Sequence, residues 1–311
     1  MQIIRKKYFI ILMALCVSTS VMAQFNSADL AKGKQIYQSN CSACHGMAGN
    51  GNGPSAIYLN PLPRDFTKGK YKFRTTPSGS LPTDKNIHKT IRNGVMRTSM
   101  PAFEGILNDQ DINDVTAYIK SLAEKFSIQT PAPEIDMPSS APKKTDVLIN
   151  DGEMMYRLME CWNCHGPYGN ADGPTSETLI DDWENPIFVP DFAHDSFKGG
   201  NGPLDVYRTF STGLTGTPMP GYDDDTFGFA REDIVGDYSN LEAIYSEEEI
   251  QAFDTWANNS ISGDVLYSKS EEEMYAYFRL RKWALVYYVL NQKEKESFIF
   301  KLFKKDYELT Q

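Results

Sequence analysis

A five-residue motif that occurs twice constrains this chain more than any other feature. Cys-x-x-Cys-His spans residues 41–45 and again residues 161–165. Two thiols one helical turn apart can form thioethers to one porphyrin, and the adjacent imidazole can bind its iron. The motif therefore predicts two covalently attached haem c groups, bound through Cys41, Cys44, Cys161 and Cys164, with His45 and His165 as iron ligands.

A zinc site or a redox dithiol is the alternative interpretation, because Cys-x-x-Cys alone is common. A tetrahedral zinc ion would need a fourth ligand, and neither motif has a spare cysteine nearby. Two copies that both end in histidine favour haem.

The N-terminus resembles a secretory leader. Basic residues 5–7 precede an apolar run at 8–17, and small residues at 21 and 23 predict cleavage before Gln24. An uncleaved anchor is the alternative, although the apolar run is short for a bilayer. Cys16 follows Leu15, which fits lipoprotein processing poorly. We therefore expect residues 1–23 to be removed, and the mature protein to be periplasmic without a transmembrane segment.

Composition and charge limit the class of partner. The 311-residue chain is 41% hydrophobic and carries a net charge of −10, which is typical of a globular protein and disfavours nucleic-acid binding. After leader removal the four remaining cysteines all belong to the two motifs, so we expect no structural disulfide.

Sequence patterns after the two motifs indicate a tandem duplication. A Gly/Asn-rich loop follows each motif, Asp-Phe recurs at 65–66 and 191–192, and Thr-x-Met-Pro recurs at 98–101 and 217–220. Four prolines between 127 and 144 predict an extended linker. We therefore expect a domain at 24–126, a linker at 127–145 and a second domain at 146–292.

Apolar periodicity predicts helices in the first domain at 29–39, from Thr83 or Asp84 to Gly94, and after Asn108. In the second domain the symmetry fails after Pro220, and residues 221–270 are expected to form an irregular acidic insertion. Two segments compete as its closing helix, 246–258 and 271–291; we favour the second, which is longer and places Tyr288 like Tyr118. Residues 293–311 form a charged tail with apolar residues that we expect to pack on this chain or on a partner.

The sixth iron ligands are predicted to be methionines. Met100 lies 55 residues after His45 and Met219 lies 54 residues after His165, both in Thr-x-Met-Pro. A thioether ligand raises the reduction potential of haem iron. Methionine more often fills cores, but the matched context favours ligation.

Rival ligands match less well. Met47 follows His45 too closely to reach the opposite side of the iron, and Met96 has no counterpart in the second half. His88 and His194 stand at unrelated offsets from the two motifs, so we interpret them as ordinary histidines.

Each half resembles a class I c-type cytochrome, and the whole chain is similar to periplasmic dihaem cytochromes c. The resemblance covers residues 29–126 and 152–220 well and continues loosely to 291. It implies an all-α fold of two tandem cytochrome c domains, each wrapped around one haem, with axial pairs His45/Met100 and His165/Met219.

The resemblance also implies a function. We expect an electron carrier of a respiratory chain, or the haem subunit of a larger oxidoreductase, rather than an enzyme. A dihaem enzyme of peroxidase type with one open iron is the main alternative, and a sensor or structural subunit is another. The sequence offers a methionine for both irons and no evident distal acid–base pair.

Charge is distributed unevenly along the chain. Residues 24–130 carry thirteen Lys and Arg against eight Asp and Glu, whereas the rest of the mature chain is strongly acidic. We expect either a molecular dipole that steers the basic half towards an acidic redox partner, or pairing of the two halves within one molecule.

Mass spectrometry tests the central expectation. Protein made with haem-maturation machinery should carry two haem additions on a chain that begins near Gln24, because each motif attaches one haem. A single addition would exclude one of the motifs as an attachment site.

Overall fold

The computed structural model describes residues 28–236 and 238–309, with side chains up to residue 293. The predicted leader, residues 1–23, lies outside them. Within these ranges the chain is helical and has only isolated β-bridges, which confirms the all-α prediction for the described residues. None of the described helices is both long enough and apolar enough to span a bilayer.

Five helices form the N-terminal half. They are α1 (Leu30–Asn40), α2 (Ser42–His45), α3 (Asp84–Asn93), α4 (Asp109–Ser121) and α5 (Lys125–Ile128). The starts of the three long helices follow from their caps: Asp29 accepts a hydrogen bond from the Lys32 amide, and Thr83 and Asn108 stand in capping boxes.

Eight helices form the C-terminal half. They are α6 (Asp146–Leu158), α7 (Trp162–His165), α8 (Pro203–Thr212), α9 (Arg231–Ile234), α10 (Ser239–Glu242), α11 (Glu247–Asn258), α12 (Gly263–Leu266) and α13 (Glu271–Leu309).

The buried apolar side chains fall into two clusters. One gathers Tyr37, Phe66, Ile87 and Val115 from the N-terminal half, and the other gathers Tyr156, Phe192 and their neighbours from the C-terminal half. Each half thus has its own hydrophobic core.

One helix crossing is common to both cores. Helix α1 packs against α4, and α6 packs against α13. A Cβ on Gly33 would lie 2.0 Å from the Asp114 carbonyl oxygen, and a Cβ on Gly152 would lie 2.0 Å from that of Ala284. The helices therefore touch backbone to backbone, which only glycine permits here.

About half of the segment expected to be an irregular insertion, residues 221–270, is helical. Helices α9 to α12 lie within it, and the Ser246 and Glu249 side chains form the capping box that starts α11. Phe253 and Leu266 are fully buried in the C-terminal core. Its acidic residues start helices, because carboxylates are favourable in a first turn.

The closing contact with α6 is made by α13, the later of the two candidate segments. Tyr288 packs on Tyr156 with ring centroids 5.1 Å apart, as Tyr118 packs on Tyr37 at 5.2 Å. The boundary expected at 292–293 is not a structural break, because α13 continues to Leu309.

The proline-rich segment does more than separate the halves. The Ile135 amide donates to the Thr75 carbonyl at 2.7 Å, and the Tyr287 hydroxyl donates to the Pro142 carbonyl. Residues 129–144 form neither helix nor strand and are bound to both halves, and the expected linker start at 127 lies within α5.

Basic residues of the N-terminal half face acidic residues of the C-terminal half. Lys70 pairs with Asp182, Lys89 with Asp205 at 3.2 Å, and Arg97 with Asp195 at 2.7 Å. These three pairs favour the second of the two expectations, pairing of the halves within one molecule, and steering of a redox partner stays a prediction.

Two arginines of the N-terminal half also contact residues of the C-terminal half. The Arg64 guanidinium lies 4.4 Å from the Trp183 ring centroid, and the buried Arg74 donates to the Thr212 carbonyl at 2.5 Å. Both side chains therefore join the halves, and neither contributes a free charge on the surface.

The helix crossing yields a stability prediction. Gly33→Ala and Gly152→Ala should each lower the free energy of unfolding. Alanine gains about 0.5–1 kcal/mol in a helix, but forcing a methyl into a backbone contact costs about 1–3 kcal/mol or more. Chemical denaturation measures the difference. Gly236→Ala is the control, because a Cβ there meets nothing within 4 Å; equal stability of all three variants would contradict the crossing.

Candidate haem cavities

Each half contains one cavity lined by one complete set of the predicted residues. The N-terminal cavity, of about 190 Å³, is lined by Cys41, Cys44, His45 and Met100. The C-terminal cavity, of about 340 Å³, is lined by Cys161, Cys164, His165 and Met219. The fold thus brings together residues that are more than fifty positions apart in sequence.

Each Cys-x-x-Cys-His motif forms one helical turn, α2 or α7. The His45 amide donates to the Cys41 carbonyl at 2.9 Å, and the His165 amide donates to that of Cys161 at 3.0 Å. The turn puts both thiols of a motif on the wall of the same cavity.

None of the four cysteines at these positions forms a disulfide. Burial raises the pKa of Cys41 to about 11 and that of Cys161 to about 12, so both are protonated at neutral pH. In the described part of the chain no three Cys, His, Asp or Glu side chains converge as a metal site. This geometry does not favour the zinc interpretation.

The two imidazoles are held in matching surroundings. His45 stacks on Phe66 with ring centroids 4.4 Å apart, and His165 packs on Phe192 at 4.7 Å. Burial lowers the pKa of His45, and lowers that of His165 to about 4. Both rings are therefore neutral at pH 7, which is the form that binds a metal ion.

A backbone carbonyl orients the first ring. His45 Nδ1 lies 2.9 Å from the Arg64 carbonyl oxygen, so a proton on Nδ1 leaves the Nε2 lone pair available to a metal. In the second half the equivalent carbonyl belongs to Pro190. It raises the pKa of His165, against the larger lowering that burial causes. His165 Nδ1 itself makes no hydrogen bond.

A buried tyrosine binds the glycine that follows each motif, and the contact is the same in both halves. The buried Tyr37 hydroxyl donates to the Gly46 carbonyl at 2.8 Å, and Tyr156 donates to that of Gly166 at 2.6 Å. Gly46 and Gly166 have φ of 78° and 85°, which favours glycine after each histidine.

The two Thr-x-Met-Pro loops also share one geometry. The Thr98 hydroxyl donates to the Val95 carbonyl at 2.8 Å and accepts from the Met100 amide at 3.1 Å. Thr217 makes the same two bonds, to Leu214 at 2.7 Å and from Met219 at 3.3 Å. The threonine therefore fixes the turn that carries each methionine to its cavity.

The donor chemistry fits a haem c group in both cavities. Each holds two thiols on one helical turn, a neutral imidazole and a thioether, and the remaining wall is largely apolar. These are the groups that attach and ligate such a haem.

The rival ligands lie elsewhere. Neither His88 nor His194 lines a cavity, and His194 instead pairs with Asp191 at 2.8 Å. Met47 is 61% exposed, and Met96 accepts a hydrogen bond from Asn201 across the contact between the halves.

Sequence reasoning missed a wall that the two cavities share. Four residues line both of them: Pro61, Lys72, Phe73 and Lys198. The sequence did contain a signal for the two lysines. Each follows an aromatic residue, and Lys72 and Lys198 stand six positions after Phe66 and Phe192, the phenylalanines that pack on the two histidines. The two cavities therefore adjoin.

Comparisons with known proteins agree with this geometry. The family model for cytochrome c matches residues 30–123. The chain is 33% identical over 122 residues to cytochrome c6 of Thermosynechococcus vestitus, covering 96% of that protein and 39% of this one. It is 35% identical over 98 residues to cytochrome c6 of Picosynechococcus, covering 77% of that protein and 32% of this one.

A solved structure extends the likeness to most of the chain. A chain of the reducing HAO-like protein complex of Kuenenia stuttgartiensis superposes with a TM-score of 0.63 at 34% sequence identity. The match covers 84% of this chain and 95% of that one, so it includes residues beyond the cytochrome c6 match.

The tyrosine bonds generate a prediction. Tyr37→Phe and Tyr156→Phe should each lower the free energy of unfolding by about 1–3 kcal/mol, because each leaves a buried carbonyl without its donor. Denaturant titration of the two variants measures this loss. Tyr58→Phe is the matched control, since Tyr58 is 82% exposed; if it is as costly as the others, the buried bonds are not the cause.

Proposed function

Because the chain belongs to the cytochrome c family, we propose that it binds two covalent haem c groups and transfers single electrons between redox partner proteins. When bound, each haem supplies a one-electron redox centre. Cys41 and Cys44 hold one group, and Cys161 and Cys164 hold the other.

The axial pairs in this proposal are His45 with Met100 and His165 with Met219. In support, each pair lines one cavity together with its own two thiols. An imidazole and a thioether fill both axial positions, which favours electron transfer over substrate binding.

The surrounding residues keep each site rigid and largely dry. Phe66 and Phe192 pack on the two histidines, and the threonine-anchored turns hold the two methionines. A site whose ligands cannot shift needs little rearrangement when its charge changes by one, because its dipoles are already in place.

The proposal of a carrier with two redox centres rests on the wall that the two cavities share. Residues from both halves line both cavities, so the two redox centres would sit in neighbouring chambers of one molecule. An electron accepted by one half can then pass to the other within the molecule, so donor and acceptor can dock on different halves.

A place in a larger complex is part of the proposal. The solved structure described above is a chain of a reducing HAO-like protein complex. The match extends over most of both chains. We infer that this chain acts in the periplasm as a carrier or as the haem subunit of an oxidoreductase.

Ligand substitution followed by redox titration tests this function. The oxidised protein should show the near-infrared sulfur-to-iron band and titrate in two one-electron steps. Met100→His and Met219→His should each remove about half of the band and lower one of the two potentials, because methionine ligation raises the potential. A variant that leaves both readouts unchanged identifies its methionine as core packing.

Carbon monoxide provides the control for the peroxidase-type alternative. Reduced protein with both irons closed by methionine should bind no carbon monoxide. Uptake of one equivalent by the unsubstituted protein would show an open iron and contradict the carrier.

A further inference from the structure

Two lysines, one from each half, stand on the wall between the cavities. Lys72 and Lys198 both line both cavities and are mostly buried. They occupy equivalent positions in the duplication, six residues after Phe66 and Phe192. Phe66 and Phe192 also pack on the aromatic residues that precede the lysines, with centroids 6.0 and 5.8 Å apart.

Neither ammonium group has an anionic partner in the part of the chain that the structure describes. Lys72 and Lys198 make no hydrogen bond or ion pair there. The carboxylates that attract them from further away are engaged: Asp181 accepts from the Trp183 amide at 2.9 Å, and Asp195 pairs with Arg97.

Positive charges act on both lysines more strongly than the carboxylates do. Arg64 and Lys198 repel Lys72, and Arg97 repels Lys198. Burial and these neighbours lower the pKa of Lys72 to about 8 and also lower that of Lys198. Burying two like charges side by side is unfavourable unless an anion joins them.

We propose that Lys72 and Lys198 form a shared clamp for the propionate carboxylates of the two haem groups. The clamp rests on the proposed function, since it needs a haem in each cavity. A haem group would bring carboxylates into each cavity, and the shared wall offers two unpaired ammonium groups that each line both cavities. A charge-assisted hydrogen bond to a carboxylate satisfies both partners.

The clamp couples the two redox centres. Each ammonium offsets the negative charge that accumulates when either iron is reduced, so one lysine raises the potential of both. A lysine that contacted only its own half would act on one centre.

Redox titration of the holoprotein tests the clamp. Lys72→Gln and Lys198→Gln should each lower both midpoint potentials, and Lys72→Arg should restore them, because arginine keeps the charge. Lys68→Gln is the matched control: Lys68 is exposed, four residues away, and lines neither cavity. Haem absorbance per chain verifies that every variant is fully loaded.

Two results overturn the clamp and leave the carrier intact. One is a protein that titrates two haems in which the glutamine variants shift no more than Lys68→Gln, or shift only one potential. The other is a saturable shift with inorganic phosphate at constant ionic strength that Lys72→Gln abolishes, which assigns the lysines to a free anion. Failure to load two haems would instead contradict the proposed function.

Discussion

The architecture depends on one close contact, the crossing of an N-terminal helix over the closing helix of its own half. Gly33 and Gly152 allow two backbones to touch, and no side chain larger than hydrogen fits there. The crossing places Tyr37 and Tyr156 so that their hydroxyls bind the glycine that follows each Cys-x-x-Cys-His turn. The position of each turn, and of the histidine on it, is therefore set by a helix contact outside the cavity.

Both halves use the same series of contacts from that crossing to the methionine. The histidine packs on a phenylalanine, a carbonyl faces the ring, and a threonine fixes the turn that carries the thioether. Each contact is local and modest in energy. Their repetition shows that the two cavities are built in the same way, although the segments around them differ.

The long helices could be predicted from sequence because their signals are local, and the two cavity-lining methionines could be singled out because their Thr-x-Met-Pro context recurs. Helix α4 begins at the expected Asn108 cap, and α3 ends at Gly94 as expected. Helix α11 matches the candidate segment 246–258, whereas α9, α10 and α12 were missed because each has only four residues, too few to show a period. The shared cavity wall was missed for a different reason: the equivalent positions of Lys72 and Lys198 mark them as a pair, but contacts between halves have no fixed sequence spacing, so the sequence does not show that the two lysines meet.

The same limit explains why charge along the sequence does not decide between steering of a partner and pairing of the two halves. A basic half and an acidic half predict a dipole that steers partners, if both remain exposed. In the fold, Lys70, Lys89 and Arg97 pair with carboxylates of the other half. Pairing at short range cancels their field at the distances over which partners are steered, because opposite charges a few ångströms apart act as a small dipole. Part of the charge asymmetry is therefore used to join the halves that hold the two cavities.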